Sequence, residues 1–578
     1  MEYMDSYNLW LSKVDADERR ELESLRGDDK EIKERFYSPL EFGTAGMRGV
    51  LGMGTHMMNK YTVMRATEGL AHYVQSLGAE AMARGVLISY DTRRFSFEFA
   101  KIAAEVLAKN GVHAYIFENV RPVPMCSFAV RYVGAVAGIM ITASHNPKEY
   151  NGYKVYGEDG AQMSPVATAK VVEFIDEIED YFGVDRVETG AREEFIGKDN
   201  YDIVDNITVV GKTIDNAYFD AIEQVSLSPE AVKAVGKDIK IVYTPIHGAG
   251  YMPVTTILAR MGIKVNVVEE QANPDTEFST VAVPNPEQPD ALKMGMELAN
   301  KLGSDIVIGT DPDSDRMGVA IRNNANEFIL LNGNQIGALL LDYILTRRTE
   351  EGTLPTNGAI VKTIVTTSLA DKIATSHNVA VYNVLTGFKF IGEKIKEWEK
   401  SGEHTFLFGY EESYGYLSGT HARDKDAVVS AMLFAEMVCY YESKGIKLYN
   451  HLIDLFERYG YFVEKSVAIV FKGLDGMEKM ANIMEELRNN PKDNIKGYAV
   501  KNFLDFKKGV STCVETGATT PIDLPSANVI KYDLGDDEWV AVRPSGTEPK
   551  LKVYVSVHAK SHAEAVAKNA KLFEEFAF

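Results

Sequence analysis

Three carboxylates alternate in the segment DPDSDR, residues 311–316, directly after the apolar run DIVIGT. Alternating positions in a tight loop can bring three oxygens to one point, which suits Mg²⁺ with positions left open for a phosphate. An EF-hand calcium site fails on two counts, because it needs Gly where Arg316 stands and Glu where Arg322 stands. We therefore predict a magnesium loop at the carboxyl end of a strand, with a plain acidic turn as the alternative.

A serine and a histidine are adjacent in ITASHNPKEYNGYK, residues 141–154. A serine hydroxyl can accept and return a phosphoryl group if a cation neutralises the transferred oxygens and donors hold the group in line. Lys154, shortly downstream, is a candidate proton shuttle or phosphate counterion. Taken alone, the segment also fits a capping serine beside a surface histidine and an ordinary solvent-facing lysine.

Two loops carry groups suited to a sugar. TGFKF, residues 386–390, follows a strand pattern and opens a helix, so its N–H groups and Lys389 can meet an anion or a sugar edge. FGYEESYG, residues 408–415, places Glu411 and Ser413 at another strand end, where they suit two neighbouring hydroxyls. The structural alternatives are a nonspecific loop and a helix-capping turn.

Two more loops carry groups suited to a phosphate. VRPSGTEPK, residues 542–550, combines a guanidinium, hydroxyls and free N–H groups in a pattern that fits a phosphate dianion. FGTAGMRG, residues 42–49, presents Arg48 from a glycine-rich loop. A polar hairpin and a structural turn are the respective alternatives.

The elements around these loops predict three similar α/β units with mixed sheets, followed by a C-terminal α+β domain. Apolar runs such as GVLISY, KIVYTP and AIVKTIV alternate with helical patterns at the spacing of parallel crossovers, and the pattern changes near residue 458. Residues 1–40 are predicted to form a helical extension on the first domain. The predicted domains are residues 1–207 with the serine loop, 208–325 with the metal loop, 326–457 with the sugar loops and 458–578 with the phosphate loop.

Length and charge limit the classes of protein that fit. At 578 residues the chain is too long for one core, and a typical domain size predicts roughly four domains. The net charge of −21 disfavours nucleic acid and anionic membranes as partners. Three distant cysteines and an acidic N-terminus without a signal-like apolar run predict a cytoplasmic protein without a disulfide framework.

The motifs FGTAGMRG, TASHNP, DPDSDR, TGFKF, GYEESYG and RPSGTEPK, in this order, resemble the α-D-phosphohexomutases, the phosphoglucomutase/phosphomannomutase superfamily. Within that family the chain is most similar to the large bacterial phosphoglucomutases. The resemblance implies four domains around a central cleft. Two departures affect loop geometry: Ala45 stands where many members have Ser, and Pro312 and Ser314 stand where glycines are frequent.

The resemblance also implies a role for each motif residue. The catalytic residues it implies are Ser144 as the phosphoserine, His145, Lys154, Arg48 and Arg316. The implied ligands of one Mg²⁺ per chain are Ser144, Asp311, Asp313 and Asp315. The implied substrate-binding residues are Thr386, Gly387, Lys389, Glu411, Ser413, Lys425, Arg543, Ser545, Gly546 and Thr547.

The activity implied is interconversion of glucose 1-phosphate and glucose 6-phosphate through a phosphoserine and glucose 1,6-bisphosphate, by a monomer or homodimer. A phosphopentomutase or a phosphomannomutase of the same family is the nearest alternative, because these substrates differ by single hydroxyls. A phosphatase would need a site open to water. A non-catalytic sugar-phosphate sensor would be expected to lack Ser144 or one of the aspartates, and all four are present.

Overall fold

A computed structural model describes residues 2–43, 46–471, 476–545 and 550–576. The chain divides into two compact units. Unit 1 comprises Met1–Leu331, Ile391–Ser401 and Gly415–Ser443, and unit 2 comprises Asn332–Phe390, Gly402–Tyr414 and Lys444–Phe578. Each unit is described separately below.

Unit 1 begins with the predicted helical extension, which consists of α1 (Tyr3–Lys13), α2 (Ala16–Ser24) and α3 (Asp29–Phe36). Asp15 starts α2 with a capping box, in which its side chain accepts from backbone N–H groups of the first turn. Trp10, only 1% exposed, packs edge-on against Phe36 and Tyr61. An aromatic core therefore joins these helices to the sequence that follows.

The first sheet of unit 1 is mixed, with seven strands in the order β1-β5-β4-β2-β3-β7-β6. Its central strands are parallel, and VLISY is buried on both faces, which explains its continuous apolar sequence. The elements are β1 (Gly46–Val50), α4 (Lys60–Ser76), α5 (Ala79–Arg84), β2 (Val86–Tyr90), α6 (Ser96–Lys109), β3 (Ala114–Phe117), α7 (Val123–Val133), β4 (Ala137–Ile141), β5 (Tyr150–Gly157), α8 (Pro165–Asp176), β6 (Tyr201–Val204) and β7 (Ile207–Val210).

The second sheet of unit 1 is also mixed, with the order β12-β11-β10-β8-β9. Strand β10 pairs in parallel with β8 and antiparallel with β11. The elements are α9 (Lys212–Glu223), α10 (Pro229–Val235), β8 (Ile241–Thr244), α11 (Tyr251–Met261), β9 (Val265–Val267), α12 (Glu269–Ala272), α13 (Pro289–Leu302), β10 (Ile306–Thr310), β11 (Met317–Arg322) and β12 (Phe328–Leu331).

The first sheet of unit 2 contains three parallel strands in the order β14-β13-β15. The elements are α14 (Gly333–Glu350), β13 (Gly358–Thr363), α15 (Leu369–Ser376), β14 (Ala380–Val384), α16 (Phe388–Ser401), β15 (Thr405–Glu411), β16 (Gly415–Leu417), α17 (Ala427–Ser443) and α18 (Leu448–Tyr459). Of these, β16, α17 and most of α16 belong to unit 1, where α17 packs against α10 and α11.

The end of the chain changes to an antiparallel sheet in the order β17-β25-β24-β23-β20-β21-β22. Helices α19 and α20 pack on it, and Ser561 caps α20. The elements are β17 (Tyr461–Val470), α19 (Gly476–Asn489), β18 (Asn494–Ile495), β19 (Tyr498–Ala499), β20 (Asn502–Asp505), β21 (Val510–Cys513), β22 (Thr519–Pro521), β23 (Ile530–Gly535), β24 (Glu538–Pro544), β25 (Lys550–Ala559) and α20 (His562–Phe573).

Sheet elements run a few residues past two of the predicted domain boundaries. Strand β7 begins at residue 207 and pairs with β3, and β12 lies beyond residue 325 and pairs with β11. The third boundary, at residue 457, falls within α18. The exact boundaries stay a prediction. Across the residues described, every helix is too short or too polar to span a bilayer.

Glu464 on β17 is expected to make the stability of unit 2 pH-dependent. Burial raises the pKa of this carboxyl group to about 7. Because the pKa is higher in the folded than in the unfolded state, protonation of this group stabilises the fold. The stabilisation is complete at pH values below the unfolded-state pKa and is lost as the pH rises through 7. We expect Glu464→Gln, which stays neutral, to be more stable than the wild type at pH 8 by at most about 3 kcal/mol and equally stable at pH 4.5.

Differential scanning calorimetry at pH 4.5 and pH 8 measures this difference. Glu574→Gln, in which an exposed glutamate of the same domain is changed, is the control and should leave the pH dependence as it is. An equal effect of the two substitutions would show that the buried carboxyl group of Glu464 is not the titrating group.

Candidate active site

The serine loop and the acidic loop both follow strands of unit 1 at their carboxyl ends. Strand β4 ends at Ile141, three residues before Ser144, and β10 ends at Thr310, immediately before Asp311. Both strands have parallel neighbours, and open α/β sheets bind ligands at this edge. The fold thus brings together two loops that are more than 160 residues apart in the chain.

The Ser144 hydroxyl lies against one of the predicted metal ligands. Its Oγ donates to Asp311 Oδ2 at 3.0 Å and lies 3.1 Å from His145 Nδ1. Ser144 is 3% exposed and has a φ of 52°, in the left-handed region that few non-glycine residues occupy. Such strained backbone is concentrated at functional sites.

The three aspartates form a buried cluster. Each of Asp311, Asp313 and Asp315 offers a carboxylate oxygen, and the three oxygens lie within 4.8 Å of one another. Asp313 Oδ1 and Asp315 Oδ1 are buried without a hydrogen-bond partner among the described residues. Burial and the two neighbouring carboxylates raise the pKa of Asp311 well above its usual range. Unpaired buried oxygens and mutual repulsion are what a bound divalent cation relieves, so the cluster fits Mg²⁺.

Two lysines balance part of the negative charge. Lys154 Nζ donates to Asp313 Oδ2 at 2.8 Å and lies 3.6 Å from Asp315 Oδ2. Lys425 Nζ lies 3.2 Å from Asp315 Oδ2 and donates to Asp424 at 2.9 Å. Although burial opposes it, these ammonium groups and Arg316 hold the pKa of Asp315 below its usual range. Asp315 is therefore ionised.

The remaining predicted residues of unit 1 surround the same loops. Arg316 donates to Glu287 at 2.9 Å, and Arg48 on β1 donates to Asn146 Oδ1 at 3.0 Å. Burial, followed by the charges of Arg316 and Arg48, lowers the pKa of His145 well below its usual value. His145 is thus neutral, and a neutral imidazole can accept a proton from a hydroxyl.

The acidic loop accommodates Ser314, at a position where the α-D-phosphohexomutases frequently have glycine. Ser314 has a φ of 47°, and its Oγ donates to Thr310 Oγ1 at 3.2 Å. Its carbonyl accepts from the Ala427 N–H at the start of α17. These bonds stabilise the left-handed conformation without glycine. Ala45, the other departure, lies outside the described residues.

Several residues at this site were missed by the motif analysis. Thr142 Oγ1 donates to Asp91 Oδ2 at 2.7 Å, lies 3.1 Å from Asp313 Oδ2, and accepts from the Ser144 N–H at 2.8 Å. Asp91 directly follows β2, just as Asp311 follows β10. That shared position, a carboxylate after a buried strand, is the signal that could have identified it.

Unit 2 carries the predicted sugar loops. The Gly387 N–H donates to Glu411 Oε1 at 2.8 Å, so residues 386–390 meet residues 408–414 within this unit. Gly387 has a φ of 117°, which favours glycine. Lys389 Nζ lies 4.8 Å from the centre of the Phe390 ring, and Thr386 and Ser413 are half-buried.

Unit 2 also carries the predicted phosphate loop, between β24 and β25. The Arg543 guanidinium interacts electrostatically with the buried Tyr554, and the Ser545 N–H donates to the Lys550 carbonyl at 2.7 Å. Gly546 and Thr547 lie outside the described residues.

A buried serine hydroxyl on a carboxylate cluster, with ammonium groups beside it, supplies the groups that phosphoryl transfer requires. Four family models match the chain, namely the phosphoglucomutase/phosphomannomutase alpha/beta/alpha domains I, II and III at residues 39–182, 216–324 and 332–459, and the C-terminal domain at 491–571. The chain belongs to the phosphoglucomutase/phosphomannomutase family. The predicted resemblance and fold class are confirmed, and membership makes the chain an isomerase-class enzyme that transfers phosphoryl groups.

Curated relatives cover almost the whole chain. A phosphoglucomutase of Staphylococcus epidermidis is 38% identical over 562 residues, which is 97% of this chain and 98% of the relative. One of Staphylococcus aureus is 37% identical and covers 94% of each chain. Among solved structures, a Paramecium phosphoglucomutase in an open form matches 93% of this chain and 94% of its own with a TM-score of 0.67 at 16% identity, which supports the fold.

Proposed function

We propose that this enzyme is a phosphoglucomutase, which interconverts α-D-glucose 1-phosphate and glucose 6-phosphate. The observation that carries the proposal is the buried Ser144 hydroxyl, 3.0 Å from Asp311 in the acidic cluster. The relatives named phosphoglucomutase support glucose as the sugar.

In the proposed reaction, phosphorylated Ser144 donates its phosphoryl group to the free hydroxyl of a glucose monophosphate. The bond from phosphorus to Ser144 Oγ breaks as the bond to the sugar oxygen forms, which gives glucose 1,6-bisphosphate. The second half of the reaction returns the other phosphoryl group to Ser144. The monophosphate released is the isomer of the one that entered, and the phosphoserine is restored.

His145 and Lys154 are the candidates for moving the hydroxyl proton. His145 is neutral and its Nδ1 lies 3.1 Å from Ser144 Oγ, so it can accept a proton without first losing one. Lys154 is paired with Asp313 and Asp315, and this pairing raises its pKa despite burial. Lys154 is thus suited to neutralising phosphoryl oxygens, which leaves His145, a neutral but weak base, as the acceptor of the proton.

One Mg²⁺ per chain would be held by Asp311, Asp313 and Asp315 together with the Ser144 phosphoryl group. Bound there, the ion supplies positive charge to the transferring oxygens. Arg48, Arg316 and Lys425 add positive charge from the protein.

The predicted loops of unit 2 are proposed to bind the sugar and the non-transferring phosphate. Glu411 is already oriented by the Gly387 N–H, and it can accept hydrogen bonds from sugar hydroxyls. The proposed sugar-binding residues are Thr386, Gly387, Lys389, Glu411 and Ser413. The proposed residues for the non-transferring phosphate are Arg543, Ser545, Gly546 and Thr547.

A coupled assay with Mg²⁺ and a trace of glucose 1,6-bisphosphate tests the function. We expect glucose 1-phosphate to be converted to glucose 6-phosphate faster than mannose 1-phosphate or ribose 1-phosphate reacts, with no release of free phosphate. Preference for ribose or mannose 1-phosphate would identify a phosphopentomutase or phosphomannomutase instead. Release of phosphate without isomerisation would contradict the mutase assignment.

A further inference from the structure

A fully buried arginine holds the backbone of the serine loop. The Arg93 side chain has no exposed surface. Its Nη2 donates to the carbonyls of Ser144 and Asn146, each at 2.5 Å, and its Nη1 donates to those of Pro147 and Tyr150 at 2.9 and 3.1 Å. One guanidinium thus bonds four carbonyls of a single loop.

Arginine is the side chain that can make this set of bonds. Four carbonyl oxygens that converge in a buried space would repel one another and would be costly to leave without donors. A guanidinium presents five N–H donors in a rigid plane, whereas a lysine ammonium presents three from one point. Lysine at position 93 could therefore not span the same four carbonyls.

The other side of the Ser144 backbone is held through Asp91. The Arg93 N–H donates to Asp91 Oδ1 at 2.9 Å, and Asp91 Oδ2 accepts from Thr142 Oγ1. Thr142 Oγ1 in turn accepts from the Ser144 N–H. Buried side chains thus fix both the N–H and the carbonyl of Ser144. Asp91 holds the N–H through Thr142, and Arg93 holds the carbonyl; Asp91 and Arg93 both lie just after β2.

The Phe278 ring covers the guanidinium. The Cζ of Arg93 lies 5.2 Å from the centre of this ring, and Phe278 is 1% exposed. Exclusion of water strengthens the hydrogen bonds to the loop. The restraint on Ser144 is therefore stronger than that from an exposed arginine.

We infer that Arg93 is a positioning residue for phosphoryl transfer, which holds Ser144 in its left-handed conformation with its hydroxyl directed at the acidic cluster. This inference rests on the proposed function. The four hydrogen bonds of the Arg93 guanidinium go to backbone carbonyls of the loop. It acts by keeping Ser144 Oγ in place through the backbone of residues 144–150.

The test compares Arg93→Lys with a matched control, Arg488→Lys. Arg488 is 4% exposed and bonds Asp505, Glu485 and Asn528 in the C-terminal domain, so its replacement has a similar structural cost. We expect Arg93→Lys to lower kcat by about 100-fold because the nucleophile is misplaced, with KM for glucose 1-phosphate unchanged. Arg488→Lys should retain the wild-type kcat.

Hydrogen exchange of residues 144–150 gives a second readout that does not depend on turnover. The amide hydrogens of this loop should exchange faster in Arg93→Lys than in the wild type. In Arg488→Lys they should exchange at the wild-type rate. In Arg93→Ala, added guanidinium chloride at low concentration should restore part of the activity. Unchanged exchange in the loop, or an equal loss of kcat in the two lysine variants, would overturn the inference. A wild-type enzyme inactive on sugar phosphates would overturn the proposed function, and the exchange result would still decide the role of Arg93.

Discussion

Replacement of Ser144 by alanine is expected to lower mutase turnover by on the order of 10⁵-fold or more, because it removes the hydroxyl that is proposed to carry the phosphoryl group. Only one oxygen is removed. The hydroxyl bonds to Asp311 and His145 at 3.0 and 3.1 Å, so its loss should cost about 1 kcal/mol of stability and leave the fold intact. The coupled assay measures the turnover, and circular dichroism checks the fold.

Ser304→Ala is the control for this variant. Ser304 is also buried in unit 1, and its Oγ donates to the Lys240 carbonyl at 2.5 Å. It lies just before β10, at the opposite end of that strand from Asp311. It should keep full activity. Mass spectrometry should find the phosphoryl group on Ser144 in the wild type and in Ser304→Ala. Retained turnover in Ser144→Ala would assign the nucleophile to another residue.

Most of the α/β framework could be predicted from the sequence because its strands are continuous apolar runs. GVLISY, at residues 85–90, predicts β2, which spans Val86–Tyr90, and DIVIGT predicts β10 in the same way. Because such strands are buried on both faces, nearly all of their residues are apolar. The strand can therefore be recognised from the local sequence without knowing which strands it pairs with. The domain boundaries depend on pairing between strands. The place of β7 beside β3 could not be read from ITVV alone.

The site was predictable where its chemistry is local. Asp311, Asp313 and Asp315 stand at alternating positions, and the spacing alone indicates a common ligand. Arg93 was missed because its partners are residues 144–150, more than 50 positions away, and because DTRR after a strand has the appearance of an ordinary turn. Glu287 was missed for the same reason, since its partner Arg316 lies 29 positions away. Asp424 was missed although its partner Lys425 is the next residue, because no motif pointed to that pair.

The second large effect is expected from Asp313→Asn. Asparagine preserves the size of the side chain and removes one of the three negative charges that would hold Mg²⁺. It also removes the ion pair with Lys154, whose Nζ lies 2.8 Å from Asp313 Oδ2. We expect metal affinity to fall at least about 100-fold and kcat about 10³-fold, because a cation at the transferring oxygens contributes several kcal/mol.

Metal binding and turnover can be measured separately. Titration with Mn²⁺, followed by electron paramagnetic resonance, should find one tight site per chain in the wild type and none in Asp313→Asn. Removal of metal with a chelator should abolish wild-type turnover, and added Mg²⁺ should restore it. The control is Asp305→Asn, which changes an exposed carboxylate directly before the first residue of β10. This variant should behave as the wild type. If Asp313→Asn stayed active and bound Mn²⁺ normally, the three carboxylates would be a charge-balancing group for Lys154 and Lys425 and the metal would have to bind elsewhere.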